Sequence, residues 1–199
     1  MDKIIVRTNA DMQRVIDWAA KLSGVPVRPV FSEGEVEFVE ELSLLKFWDE
    51  GQGVVRFEFW IHGKEDAEYA RLVSWRSNVD EFTFEDVKIE GAEVKKAALG
   101  MIIAQNNILG KNVGKFAALM LFANYYREEV QRTRVVERKN VTRKSGSPRK
   151  GGKRMLTVRK YFIGEEILSE LPRKYERHTD GWGVRGHYRH YKNGKTVWV

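Results

Sequence analysis

The sequence predicts an α+β protein: a small mixed α/β amino-terminal body, a central helical pair, and a basic antiparallel carboxy-terminal sheet with a protruding loop. Three observations carry this reading. Apolar residues recur at helical spacing in residues 10–22 and 93–132. Runs rich in β-branched and aromatic residues at 54–61, 69–74 and 82–89 read as strands. Charge divides sharply along the chain: residues 1–131 hold 16 Lys+Arg against 22 Asp+Glu, and residues 132–199 hold 19 against 6. The expected organisation is therefore an acidic body, residues 1–131, followed by a basic β-rich module, residues 132–199.

Each element follows from local pattern. Residues 3–7 read as a short strand. Thr8 or Asn9 can cap a helix over residues 10–22, whose Met12, Val15, Ile16, Ala19 and Leu22 form one face, and Ser23-Gly24 ends it. Residues 25–30 carry two prolines and read as irregular or as an edge strand. Residues 35–45 are acidic, with mixed periodicity that assigns no element. In residues 82–89, Phe82, Phe84 and Val87 alternate with acids. The helical region divides within residues 106–112, with Asn112 as a possible cap for the second helix. Further strands are expected at 134–138 and 155–163, with a loop over residues 139–154 between them. A short helix at 165–171 stops at Pro172. A hairpin closes the chain, with residues 183–191 and 196–199 joined at Asn193-Gly194.

Composition bounds the function. The chain has 199 residues, 42% hydrophobic, enough for a core in one domain or two small ones. It has no cysteine, so disulfides and thiolate metal sites are excluded. The longest apolar stretch, residues 116–123, falls far short of the ~20 residues of a membrane-spanning helix. No signal-peptide pattern opens the chain. The expectation is a soluble, cytoplasmic protein that engages no membrane. There is no GxxxxGK[ST] or GxSxG motif, and the acidic cluster of Glu33, Glu35, Glu37, Glu40 and Glu41 lacks the spacing of a metal-dependent nuclease. No cofactor and no metal is expected, and His62, alone after a strand, is given no role.

The basic module is where function is expected, through contact with DNA or RNA. Residues 139–154 hold seven cations and no acid: Lys139, Arg143, Lys144, Arg149, Lys150, Lys153 and Arg154. Such a segment favours a phosphate backbone through counterion release, without reading sequence. The competing view is that these cations neutralise the acidic body, which explains six charges and leaves a surplus. The terminal hairpin offers a second surface. A two-residue turn would pair Arg189 with Trp198 and His190 with Val197. Alternation then puts Arg185, His187, Arg189, Tyr191, Thr196 and Trp198 on one face, and Tyr188, His190, Val197 and Val199 on the other. Guanidinium groups fork onto phosphate and aromatic rings stack on bases, so the first face is the candidate contact. Opposite placement of His187 and His190 argues against a metal pair.

Two further functions stay open. His187 between Arg185 and Arg189 has the composition of a metal-independent ribonuclease site, with a base and with cations for the phosphorane. Alternatively, the basic module binds a host protein and blocks a nucleic-acid enzyme or defence system. The run Arg185-Gly186-His187-Tyr188-Arg189-His190-Tyr191, followed by Lys192-Asn193-Gly194-Lys195-Thr196-Val197-Trp198, resembles the carboxy-terminal tail of uncharacterised proteins from phages and mobile elements of Gram-positive bacteria. That resemblance, over about a tenth of the chain, implies a phage context and no particular reaction.

Overall fold

A computed structural model of the chain describes residues 1–22, 24–62, 69–90, 93–142, 153–169, 188–190 and 196–198. The protein is α+β. Two compact units divide it, Met1–Leu168 and Ser169–Val199. The charge boundary at Gln131 thus falls inside the first unit, in the last turn of a helix.

The first unit is built on an eight-stranded mixed sheet in the order β6-β5-β4-β3-β2-β1-β8-β7. Strand β1, Asp2–Val6, is followed by helix α1, Asn9–Ala19, and the chain returns as β2, Glu33–Phe38, parallel to β1. Parallel neighbours need such a crossover, because no tight turn can join them. Thr8 caps α1 by accepting a hydrogen bond from the Asp11 amide at 3.0 Å. Strands β3 (Ser43–Gly51), β4 (Val54–His62), β5 (Tyr69–Asn78) and β6 (Thr83–Ile89) then form an antiparallel meander. The acidic residues 35–45, whose pattern assigns no element, fall in β2 and the start of β3. Gly34, Val36 and Phe38 of β2 point inward and its glutamates outward, an alternation that a glycine at an inward position disguises.

Gly34 is there for a packing reason. A β-carbon at that position would lie 2.9 Å from the Asp2 carbonyl oxygen and 2.9 Å from the Phe47 ring. Both distances are shorter than atoms tolerate, and one of the obstacles is backbone.

Three helices follow the meander: α2 (Glu93–Gln105), α3 (Ile108–Tyr125) and α4 (Arg127–Arg132). The break between α2 and α3 comes at Asn106 and Asn107, the latter with φ of 48°. Asn112 is therefore no cap. It is buried one turn inside α3, where its amide donates to the Ile108 carbonyl at 2.8 Å. Helix α3 is apolar on nearly every side because it is buried between the sheet and α1. Phe116 is fully buried, its ring 4.9 Å from that of Phe47 and 5.0 Å from that of Phe57, and Phe57 stacks on Trp75 at 5.2 Å. Trp18 of α1 meets Phe122 edge-on at 5.5 Å.

The chain then returns to the sheet as β7 (Val135–Thr142) and β8 (Lys153–Ile163), and α5 (Glu165–Leu168) ends the unit. Two expectations change here. The basic strands do not form a sheet of their own: β8 pairs in parallel with β1, from Asp2 opposite Arg159 to Val6 opposite Ile163. The expected loop over 139–154 is also shorter, because β7 runs on to Thr142 and β8 starts at Lys153. The β-branched Val141 and Thr142 continue the ladder past Lys139, where the loop was expected to begin. In the second unit, β9 (Tyr188–His190) and β10 (Thr196–Trp198) form an antiparallel ladder.

Truncating Phe116 to alanine removes the ring that fills the space between Phe47 and Phe57. We expect a loss of about 3–5 kcal/mol in unfolding free energy, measured by urea denaturation. A loss under about 1 kcal/mol would contradict the seating of α3 on the sheet. Gly34→Ala should destabilise through overpacking by roughly 1–3 kcal/mol, seen as a lower denaturation midpoint.

Candidate nucleic-acid interface

The sheet carries cations in two places, and their surroundings differ. On the face away from the helices, the cationic side chains are engaged. Lys3 bridges Glu37 at 2.9 Å and Glu35 at 3.8 Å, and Lys46 bridges Glu35 at 3.6 Å. Arg71 pairs with Glu58 and Glu90, Arg56 with Glu50, and Arg76 with Glu50 and Asp86. Lys46 also lies 4.4 Å from the centre of the Trp60 ring, and Arg56 lies 4.3 Å from that of Trp48. Of the acidic cluster, Glu35 and Glu37 are thus partners of Lys3 and Lys46. Glu41 bridges Lys115, and Glu40 accepts from the Asn9 amide at 2.5 Å. A phosphate would have to displace a carboxylate to gain any of these cations.

The β7–β8 ribbon is different. Its base is fixed at three points. Thr133 donates its hydroxyl to the Val130 carbonyl at 2.8 Å and accepts from the Phe162 amide at 2.9 Å. Lys160 bridges Glu137 across the two strands. Asp2, itself buried, takes Arg159 at 2.8 Å and the Tyr161 hydroxyl at 3.2 Å. Burial and the adjacent Asp2 charge push the Tyr161 phenol above its ordinary value.

Beyond this base the ribbon leaves the sheet. Register pairing of β8 with β1 begins at Arg159, and the Met1 amino group reaches back to the Thr157 carbonyl at 3.1 Å. From Lys153 to Leu156, β8 pairs with β7 alone among the described strands. At roughly 3.3 Å per residue, that is a two-stranded arm of about 13 Å, before the ten residues 143–152 that join its strands.

One face of the ribbon is exposed along its length. It comprises Val136 and Arg138 of β7 with Met155, Thr157 and Arg159 of β8. Val136 is 48% exposed and Met155 59% exposed. Arg134, just ahead of β7, is exposed as well. No described carboxylate bridges to Arg134 or Arg138, whereas Arg159 is held by Asp2.

The residues expected to contact nucleic acid are placed as follows. Lys139 lies opposite Leu156, Arg154 opposite Val141, and Lys153 opposite Thr142 in the ribbon ladder. Arg143, Lys144, Arg149 and Lys150 belong to the joining segment, and with Arg185 and His187 they lie outside the described residues. Arg189 and Trp198 lie in the terminal ladder, in a register one residue from that expected. Arg189 is opposite Val197, Trp198 opposite Tyr188, and His190 opposite Thr196. A two-residue turn at Asn193-Gly194 would fix the other register, so Arg189 and Trp198 are not the cross-strand pair inferred from it. Sequence reasoning missed Arg134, Arg138 and Arg159, because it sought cations in the loop and read these as ordinary strand or linker positions. The signal that could have found Arg138 and Arg159 was alternation with Val136, Met155 and Thr157.

Among the described residues, no group of three or more His, Cys, Asp or Glu is placed to hold a metal ion, and no helix is long and apolar enough to cross a membrane. An open apolar cleft of about 510 Å³ between α1 and α3 includes Ile16, Val27, Phe82 and Leu121. Its carboxylate, Asp80, already accepts from the Val27 amide and from Arg28. His62 packs edge-on against Tyr69 at 5.2 Å. The chain matches no family model, no curated protein sequence and no solved structure.

The engaged state of the open face has a titration signature. The Tyr69 hydroxyl donates to Glu37 at 3.1 Å, and burial together with the Glu37 charge pushes its phenol up to about 12. Ultraviolet titration should show one tyrosine ionising near that value, and Tyr69→Phe should remove that step. The raised folded value implies a contribution to stability that is complete below pH 10.0, the ordinary phenol value, and is lost as pH rises to about 12.

Proposed function

We propose that this protein binds nucleic acid through the β7–β8 ribbon, as a non-enzymatic accessory protein of phage type. The observation that carries the proposal is the contrast between the two sets of cations. Those of the open sheet face are neutralised by carboxylates, whereas Arg134 and Arg138 are exposed and form no ion pair with a described carboxylate. They border a segment with seven further cations and no acid, residues 139–154. Phosphate binding gains most where cations release counterions without giving up an internal partner. The phage context rests on the resemblance of the tail from Arg185 to Trp198.

The ribbon geometry favours binding over catalysis. Its exposed face offers arginines, aliphatic side chains and a threonine, and no group that titrates near neutrality. Backbone contacts from such a surface position a duplex or strand, and discrimination has to come from groups that reach the bases.

Binding should weaken steeply with salt, with log K falling linearly against log salt concentration. Reversing Arg138, Lys144, Arg149 and Lys150 to glutamate should lower affinity and flatten that slope by about 0.9 for each phosphate that is no longer neutralised. Fluorescence anisotropy across a salt series measures both. An unchanged affinity and slope in this variant would sink the proposal. Reversing Arg56 and Arg76, which are already paired, should alter the slope far less.

A further inference from the structure

We infer that the ligand is B-form duplex DNA and that the exposed face of the ribbon enters its major groove. This rests on the nucleic-acid reading above and adds the class of nucleic acid and the groove.

A two-stranded ribbon is one of the two elements that a B-form major groove admits, at about 12 Å wide and 8.5 Å deep. Arg138 and Thr157, a cross-strand pair, and Met155 lie past Arg159, the first residue of β8 in register with β1, where the two strands run as a ribbon. The B-form minor groove, about 6 Å wide, is too narrow for it. The A-form major groove of duplex RNA is deep and narrow and closed to such an element.

The chemistry of the face agrees with these dimensions. Arg138 lies between Val136 and, across the ladder, Met155 and Thr157. An arginine forks onto the O6 and N7 of guanine, and aliphatic side chains contact the thymine methyl group. Both targets lie on the major-groove edge. This also gives a use to Val136 and Met155, two large apolar side chains left about half exposed on the same face as Arg138. Single-strand binding asks for a different surface, in which aromatic rings stack on unpaired bases. The exposed ribbon residues are aliphatic, hydroxylic and cationic. The tryptophans on the open sheet face, Trp48 and Trp60, are covered by Arg56 and Lys46.

The experiment compares the full chain on three fluorescent ligands of one sequence and length: duplex DNA, single-stranded DNA and duplex RNA. The expected result is duplex DNA bound at least about tenfold more tightly than either of the others. Replacing guanine by 7-deazaguanine removes an acceptor from the major groove alone, and should weaken binding by roughly fivefold or more. Arg138→Ala should weaken binding to the guanine duplex and abolish the 7-deazaguanine effect. Its melting temperature checks the fold, and Met155→Ala, also at an exposed position, is the second variant, expected to weaken binding to thymine-containing duplexes. Equal or tighter binding of the single strand or the RNA overturns the duplex inference and leaves the nucleic-acid reading standing. Indifference to 7-deazaguanine overturns the groove assignment. Binding to none of the three ligands overturns both.

Discussion

The parallel pairing of β8 with β1 is the constraint on which the rest of the structure depends. Strand β1 is short, and its Ile4, Ile5 and Val6 are all buried. Burying each such side chain stabilises by roughly 1.5–3 kcal/mol, and a strand flanked on both edges by parallel neighbours is the setting that allows it. On one side β1 takes β2 and, through it, the whole meander. On the other it takes β8 over five residues, Arg159 to Ile163, and the remaining six of that strand have no register partner in β1. The buried Asp2 fixes the alignment, because Arg159 and Tyr161 both bond to it. A buried carboxylate without such partners is strongly destabilising, so a slipped register would carry a large penalty.

That pairing joins residues more than 150 positions apart in the chain, and no local pattern announces it. What the sequence made legible was local: the cap at Thr8, the apolar face of α1, and strands β4 and β5. The course of β2 was hidden because a glycine occupies an inward position beneath Phe47 and glutamates occupy the outward ones. Those glutamates looked like a solvated acidic run. They became intelligible once Lys3 and Lys46 were brought beside them from other strands. Asn112 looked like a cap because asparagine favours helix starts, yet its amide serves equally well inside a helix by bonding one turn back to Ile108.

The candidate site was legible in charge and illegible in geometry. The cation-rich segment around Arg149 stands out from composition alone. Its flanking strands do not, because Arg138 and Arg159 alternate with ordinary strand residues and gain meaning only when the ladder sets them on one exposed face. The terminal hairpin shows the converse. Its turn signal is strong, yet a one-residue difference in register separates Arg189 from Trp198. A strand pair inferred from turn type alone inherits that sensitivity, since side chains change faces with every residue of slip.

The acidity of the body then takes on a role in the proposed binding. Residues 1–131 carry a net charge of −6 and residues 132–199 a net of +13. The ion pairs of the open face are each worth little to stability, in the range of about 0–1 kcal/mol for exposed pairs. Their collective effect is to cancel the cations of that face, and the carboxylates that remain leave the body acidic. A polyanion approaching that side meets repulsion, and an approach led by the ribbon, within residues 132–168 that hold 12 Lys+Arg against 3 Asp+Glu, meets attraction. A uniformly basic protein of the same net charge would lie on a duplex in many orientations. In the proposed binding, segregated charge favours the orientation in which the ribbon arrives first.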